Sequence, residues 1–129
     1  MSVESLAPIL VVEAIEPCLP FWTERLGFRM SVQVPHHAEG LGFVLLVKDG
    51  VRLMYQSRSS LREDMGTLPP GVFEGSTLLY LRVRGIEAIE RALADEEPVV
   101  APRVTPYGAR EVGYREPGGH VVVFAQHPS

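Results

Sequence analysis

The same order of elements is written twice along this chain, and that repeat leaves few folds open. Ile9 to Val12 is a short apolar run of the kind a buried strand uses. Pro17 suits the first turn of a following helix, with Glu16 beside the positive N-terminal end. Cys18, Trp22 and Leu26 fall four apart on one face, Leu19 and Phe21 lie beside it, and Gly27 follows as a C-terminal cap. In the second half, Leu78 to Val83 is another strand and Gly85 a break. Ile86, Ile89 and Leu93 then form a helical stripe that stops before Pro98.

Hairpin material follows each strand and helix. Phe43 to Val47 and Val51 to Gln56 flank Lys48-Asp49-Gly50, where Asp-Gly signals a tight turn. Arg110 to Arg115 and His120 to Ala125 flank Glu116-Pro117-Gly118-Gly119. Ser31 to Val34 and Val99 to Val104 supply one further strand per half, so the order is βαβββ twice. The expected class is α+β, with module one over about 5–57, a connector over 58–75 and module two over 76–127. Neither module alone buries both faces of its sheet, so one domain of 129 residues is expected. The connector carries Pro69, Pro70 and three glycines and is long enough for a lid or a partner contact.

Composition narrows the function classes. No apolar run approaches the ~20 residues of a membrane span, and no basic, apolar leader precedes Pro8. Cys18 is the only cysteine, which fits a reducing cytoplasm. A net charge of −4 argues against a general nucleic-acid binder, which needs a basic face. The expectation is a cytoplasmic protein with neither membrane nor nucleic acid as partner.

Phe21-Trp22-Thr23-Glu24-Arg25-Leu26-Gly27-Phe28 resembles the segment that follows the first strand in vicinal oxygen chelate proteins. Pro106-Tyr107-Gly108-Ala109-Arg110-Glu111 and Arg115-Glu116-Pro117-Gly118-Gly119-His120 resemble that superfamily's last hairpin. Trp22, Val83-Arg84-Gly85-Ile86 and the Tyr-Gly-x-Arg-Glu stretch are most similar to the bleomycin-resistance branch. The resemblance spans nearly the whole chain. It implies paired βαβββ modules forming a cup-like mixed sheet, the glyoxalase/bleomycin resistance fold. It also places the superfamily's four metal-ligand positions at Ala7, Met54, Leu78 and Val123. Alkyl side chains and a thioether do not hold hard or borderline divalent ions, so neither a metal nor another cofactor is expected there.

Strand alternation puts Tyr80 with Leu78 and Arg82 on the face that the resemblance assigns to the cup, and Leu79, Leu81 and Val83 on the other. Met54 likewise shares a face with Arg52 and Gln56. The expected ligand-binding residues are Phe43, Met54, Gln56, Tyr80, Arg82, Tyr107, Glu111 and Val123, an apolar lining with a few polar handles. Trp22 and Cys18 read as core. His36 and His37 read as solvated loop residues, because neighbours on an extended chain point apart. His120 reads as a turn stabiliser and His127 as an exposed terminal residue. The resemblance then implies a metal-free protein that binds a drug or metabolite, as in antibiotic resistance, rather than an enzyme. A homodimer is expected, with Pro8 at the place where the first strand can cross to a partner. The alternative is a metal-dependent lyase, isomerase or ring-cleaving dioxygenase of the same superfamily. Arg52, Arg82 and Arg110 argue against a strongly acidic groove and favour a carboxylate-bearing or neutral aromatic ligand.

Overall fold

Two apolar sheets, each assembled from one copy of the repeat, make up most of the regular structure in the computed structural model, which describes residues Met1–Ser129. The chain divides into two units, Met1–Gly75 and Ser76–Ser129. In the first, β1 (Ile9–Val12) is followed by α1 (Leu19–Thr23), then β2 (Arg29–Pro35), β3 (Leu41–Lys48) and β4 (Val51–Ser57). The sheet order is β1-β4-β3-β2, with β1 parallel to β4 and the other pairs antiparallel. Lys48 pairs with Val51 across a two-residue turn in which Asp49 and Gly50 have φ of 50° and 79°. Two positive φ values are what such a hairpin needs to match the twist of its strands.

One face of this sheet is core. Leu10, Val44, Leu46, Leu53 and Tyr55 are buried on it, in register with one another across β1, β4 and β3. Trp22 is fully buried, donates its indole N–H to the Tyr55 hydroxyl at 2.8 Å, and meets Phe21 and Phe28 edge-on at 5.2 and 5.0 Å. Cys18 is buried beside it, as its place on the stripe implies. The first helix is shorter than the stripe suggests. A 3₁₀ turn spans Glu16–Cys18 and the α-helix ends at Thr23, although Leu26 is still buried. Pro20 explains the break between the 3₁₀ turn and the α-helix, since it removes a backbone N–H that a continuous helix would use.

The connector is not a structureless lid. Residues Arg58–Met65 form α2, and a 3₁₀ turn follows at Pro70–Phe73. The Ser57 side chain accepts from the Ser60 backbone N–H at 3.2 Å, the usual geometry of an N-cap. Leu61 and Phe73 are buried with Val11, so this segment covers one end of the sheet's second face. Ser57→Ala should therefore lower stability by about 1 kcal/mol. Denaturant melts of the two proteins measure it, and equal midpoints would show that the cap contributes nothing.

The second unit repeats the pattern with β5 (Leu78–Arg82), α3 (Ile86–Ala92), β6 (Val100–Val104), β7 (Arg110–Arg115) and β8 (Val121–Gln126). Its order is β5-β8-β7-β6, again with the first strand parallel to the last. Val112, Tyr114, Val122 and Phe124 form the core face with Ile86 and Leu93 of the helical segment. Gly85, at φ 71°, turns the chain into α3, and the Gln126 side chain accepts from the Ile86 N–H at 2.9 Å. No helix is long and apolar enough to cross a membrane.

Candidate functional site

Pairing fixes which side chains share the second face of each sheet. In the second unit Tyr80 is in register with Val123, and Arg82 with Ala125, which in turn pairs with Glu111. Glu111 is only 4% exposed, and a buried carboxylate needs partners. It has two. Arg103 donates to Oε1 from Nε at 3.0 Å and from Nη2 at 2.7 Å, and the Tyr80 hydroxyl donates to Oε2 at 2.9 Å. The hydroxyl also lies 2.8 Å from His127 Nε2. A phenol has one proton, and here the carboxylate takes it. His127 must then carry hydrogen on Nε2 and donate to the phenolic oxygen. The His127 ring stands 6.0 Å from each of Tyr80 and Tyr107, linking the two.

Electrostatics follow from these contacts. The Arg103 guanidinium, with help from the Tyr80 hydroxyl, holds the Glu111 carboxyl below its ordinary value. Partial burial, together with the neighbouring Glu111 carboxylate, pushes Tyr80 up to about 12. A pKa raised on folding gives stability that is complete below the ordinary tyrosine value of about 10. That contribution is lost as pH rises through about 12. The difference in phenolate absorbance between wild type and Tyr80→Phe should thus develop late in an alkaline titration. A phenolate assigned to Tyr80 that forms with the ordinary value would contradict the network.

In the first unit, Phe43 pairs with Gln56 and Leu45 with Met54 on the second face. Ile9, Val34, Phe43, Gln56, His36 and Glu63 are among the residues around a pocket of about 610 Å³ there. Gln56 is buried and donates to the Ser60 hydroxyl at 3.3 Å.

The expected residues therefore fall into two groups, one on each sheet. Phe43, Met54 and Gln56 share the second face of the first. Tyr80, Glu111 and Val123 share that of the second, with Tyr107 joined through His127. Arg82 has the same facing but opens on a separate pocket of about 740 Å³, lined also by Arg84, Gln126 and His127. Arg110 does not act on this face. Alternation turns it to the other side of β7, where it pairs with Glu87 and, at 3.6 Å, with Glu90.

Two members were missed. Arg103 reaches the Glu111 row only because a bulge between Val100 and Arg103 shifts the register, which counting by twos overlooks. His127 lies just past β8 but is drawn in by Tyr80 rather than left in solvent. His36 and His37 lie in a loop, as expected, and His37 is exposed, but the two side chains do not point apart. His37 has φ 52°, which breaks the extended alternation and brings the two rings to 4.4 Å. The hydrogen bond to Glu63 raises the pKa of His37, and the same bond lowers that of Glu63. His120, by contrast, is the expected turn stabiliser. It is buried and its Nδ1 accepts from the Thr77 N–H at 2.8 Å, while its own N–H donates to Glu116.

No family model matches the chain, and no curated protein does. Solved structures do. A bleomycin resistance determinant encoded on the transposon Tn5 aligns with a TM-score of 0.68 at 18% identity, over 98% of this chain and 100% of that one. Lactoylglutathione lyase from Agrobacterium tumefaciens aligns with a TM-score of 0.75 at 20% identity, over 98% and 95%. A glyoxalase/bleomycin resistance protein/dioxygenase from Nocardioides gives a TM-score of 0.70 at 20% identity, over 98% and 85%. With two βαβββ units of the same strand order, the chain has the fold of the glyoxalase/bleomycin resistance proteins.

Proposed function

We propose that this chain is a small-molecule binding protein of the bleomycin-resistance type, with no metal at the superfamily's positions Ala7, Met54, Leu78 and Val123. It would hold a drug or metabolite without transforming it, as a cytoplasmic homodimer. The observation that carries this reading is the Tyr80-Glu111-Arg103-His127 network on an open apolar sheet face. A general base needs a free lone pair and a pKa near the working pH. Glu111 is poorly suited, since Oε1 accepts twice from Arg103, Oε2 accepts from Tyr80 and its pKa is held low. Glu116, the other buried carboxylate of this unit, is 1% exposed and accepts from the His120 backbone N–H in the hairpin. Ala7, Met54, Leu78 and Val123 offer no oxygen or imidazole donor for the metal chemistry of a lyase or dioxygenase. What remains is recognition. The rings of Tyr80, Tyr107 and His127 offer stacking surface, while Arg82 and Arg103 suit a carboxylate-bearing or neutral aromatic ligand more than a cation.

What the second faces leave uncovered supports the homodimer. Val32 and Val34 are 42% and 48% exposed, and Leu78 is 68% exposed. A stable pair of chains buries roughly 1,200–2,000 Å² in total. Sedimentation at micromolar concentration should give a dimer, and a monomer would count against this assembly. Ligand identity is tested by a thermal-shift screen of aromatic carboxylates, neutral aromatics and cationic glycopeptides. A saturating ligand at about 100 times its Kd should stabilise the fold by roughly 2.7 kcal/mol. A screen in which no class shifts the melt would sink the binding reading.

A further inference from the structure

We propose that His36, His37 and Glu63 form a binding site for a divalent transition ion of the zinc class, at the edge of the pocket in the first unit. The three donors come from two directions. The histidines close β2 and enter the loop to β3, and Glu63 projects from α2. His37 Nε2 lies 3.0 and 3.3 Å from the two Glu63 oxygens, and His36 Nε2 lies 3.4 Å from one of them. All of these ligand atoms fall within 4.8 Å of one another. Ligands about 2.0–2.1 Å from a tetrahedral zinc stand roughly 3.3 Å apart, close to the spacings between the two histidines and Glu63.

The backbone supports the same reading. A histidine with positive φ is uncommon, and its effect here is to swing the His37 ring round to the side of His36. The loop is tied by the His36 N–H to the Gly40 carbonyl at 2.7 Å and the Glu39 N–H to the His36 carbonyl at 3.1 Å. Glu39 also places a carboxylate oxygen 3.7 Å from His36 Nε2, adding negative charge beside the site. Two imidazoles and one carboxylate suit zinc and its neighbours better than magnesium or calcium, which favour oxygen alone. Three protein ligands leave a fourth position open to water or to an oxygen of a molecule held nearby, since His36 and Glu63 both line the pocket. None of these residues occupies Ala7, Met54, Leu78 or Val123, and the proposal stands whether or not the ligand-binding reading holds.

The test uses zinc alone. Full-length protein freed of metal by chelator is titrated with Zn²⁺ by calorimetry near neutral pH, and a parallel Co²⁺ titration is followed by visible absorption. One saturable ion per chain is expected, with the strong absorption of tetrahedral cobalt. Glu63→Gln and His37→Gln alter side chains that are 60% and 68% exposed, so both variants should stay folded, as a denaturant melt will verify. Each should weaken zinc by more than the roughly 10–100-fold that loss of a mere outer-shell partner costs. No saturable binding by the wild type, or binding unchanged in both variants, would overturn the site.

Discussion

Replacing Trp22 by alanine should destabilise the protein by about 3–5 kcal/mol, the range for loss of a large aromatic from a packed core. The side chain is fully buried, contacts Phe21 and Phe28 edge-on, and donates to the Tyr55 hydroxyl. Its loss opens a cavity that β-sheet backbone on one side cannot collapse to fill. Domains of this size have stabilities of roughly 5–15 kcal/mol, so roughly a fifth or more of the total disappears. Trp22→Phe separates the two contributions, since it keeps most of the ring and removes the indole donor. Set beside Tyr55→Phe in a double-mutant cycle, it isolates the hydrogen bond, expected at about 1 kcal/mol. All melts must be run at one protein concentration, because a dimer would make the midpoint concentration-dependent. A Trp22→Ala midpoint equal to wild type would contradict the packing described for α1.

Legibility in the sequence followed the strength of the periodic signal. The paired strands were readable because Val44, Leu46, Leu53 and Tyr55 alternate with residues of the second face, and Asp49-Gly50 marks the turn between them. The helix α2 was not. Arg58-Ser59-Ser60-Leu61-Arg62-Glu63-Asp64-Met65 buries one residue, Leu61, so it has no stripe to count, and its only local mark is the Ser57 cap. The Tyr80 face was legible by counting in twos along β5, and Glu111 by the motif at the last hairpin. Arg103 and His127 were not, because a bulge and a tertiary hydrogen bond place them. The facing of the histidine pair, though not its place in a loop, was illegible for a third reason. Its geometry turns on one backbone dihedral at His37, and nothing in the residue order His36-His37-Ala38 encodes a positive φ.

Tyr80 is where the ligand-binding reading is most exposed to test, because the same side chain anchors the polar network and presents its ring on an open face. It is 50% exposed, while Val122, on the opposite face of the same sheet, is fully buried. Tyr80→Ala should weaken an aromatic ligand found in the screen by roughly 10- to 100-fold, through lost stacking and lost contact area. Tyr80→Phe keeps the ring and removes the proton that Glu111 accepts, so its loss of affinity should be smaller. Val122→Ala is the matched control. It should lower stability by about 1–3 kcal/mol while leaving the affinity of the folded fraction unchanged. Leu79, the register partner of Val122, is only half-buried and makes a weaker control. Calorimetric titrations and denaturant melts on the three variants give the comparison. Were Tyr80→Ala to bind as tightly as wild type, the ligand would have to sit elsewhere, and the face built around Glu111 would be structural rather than functional.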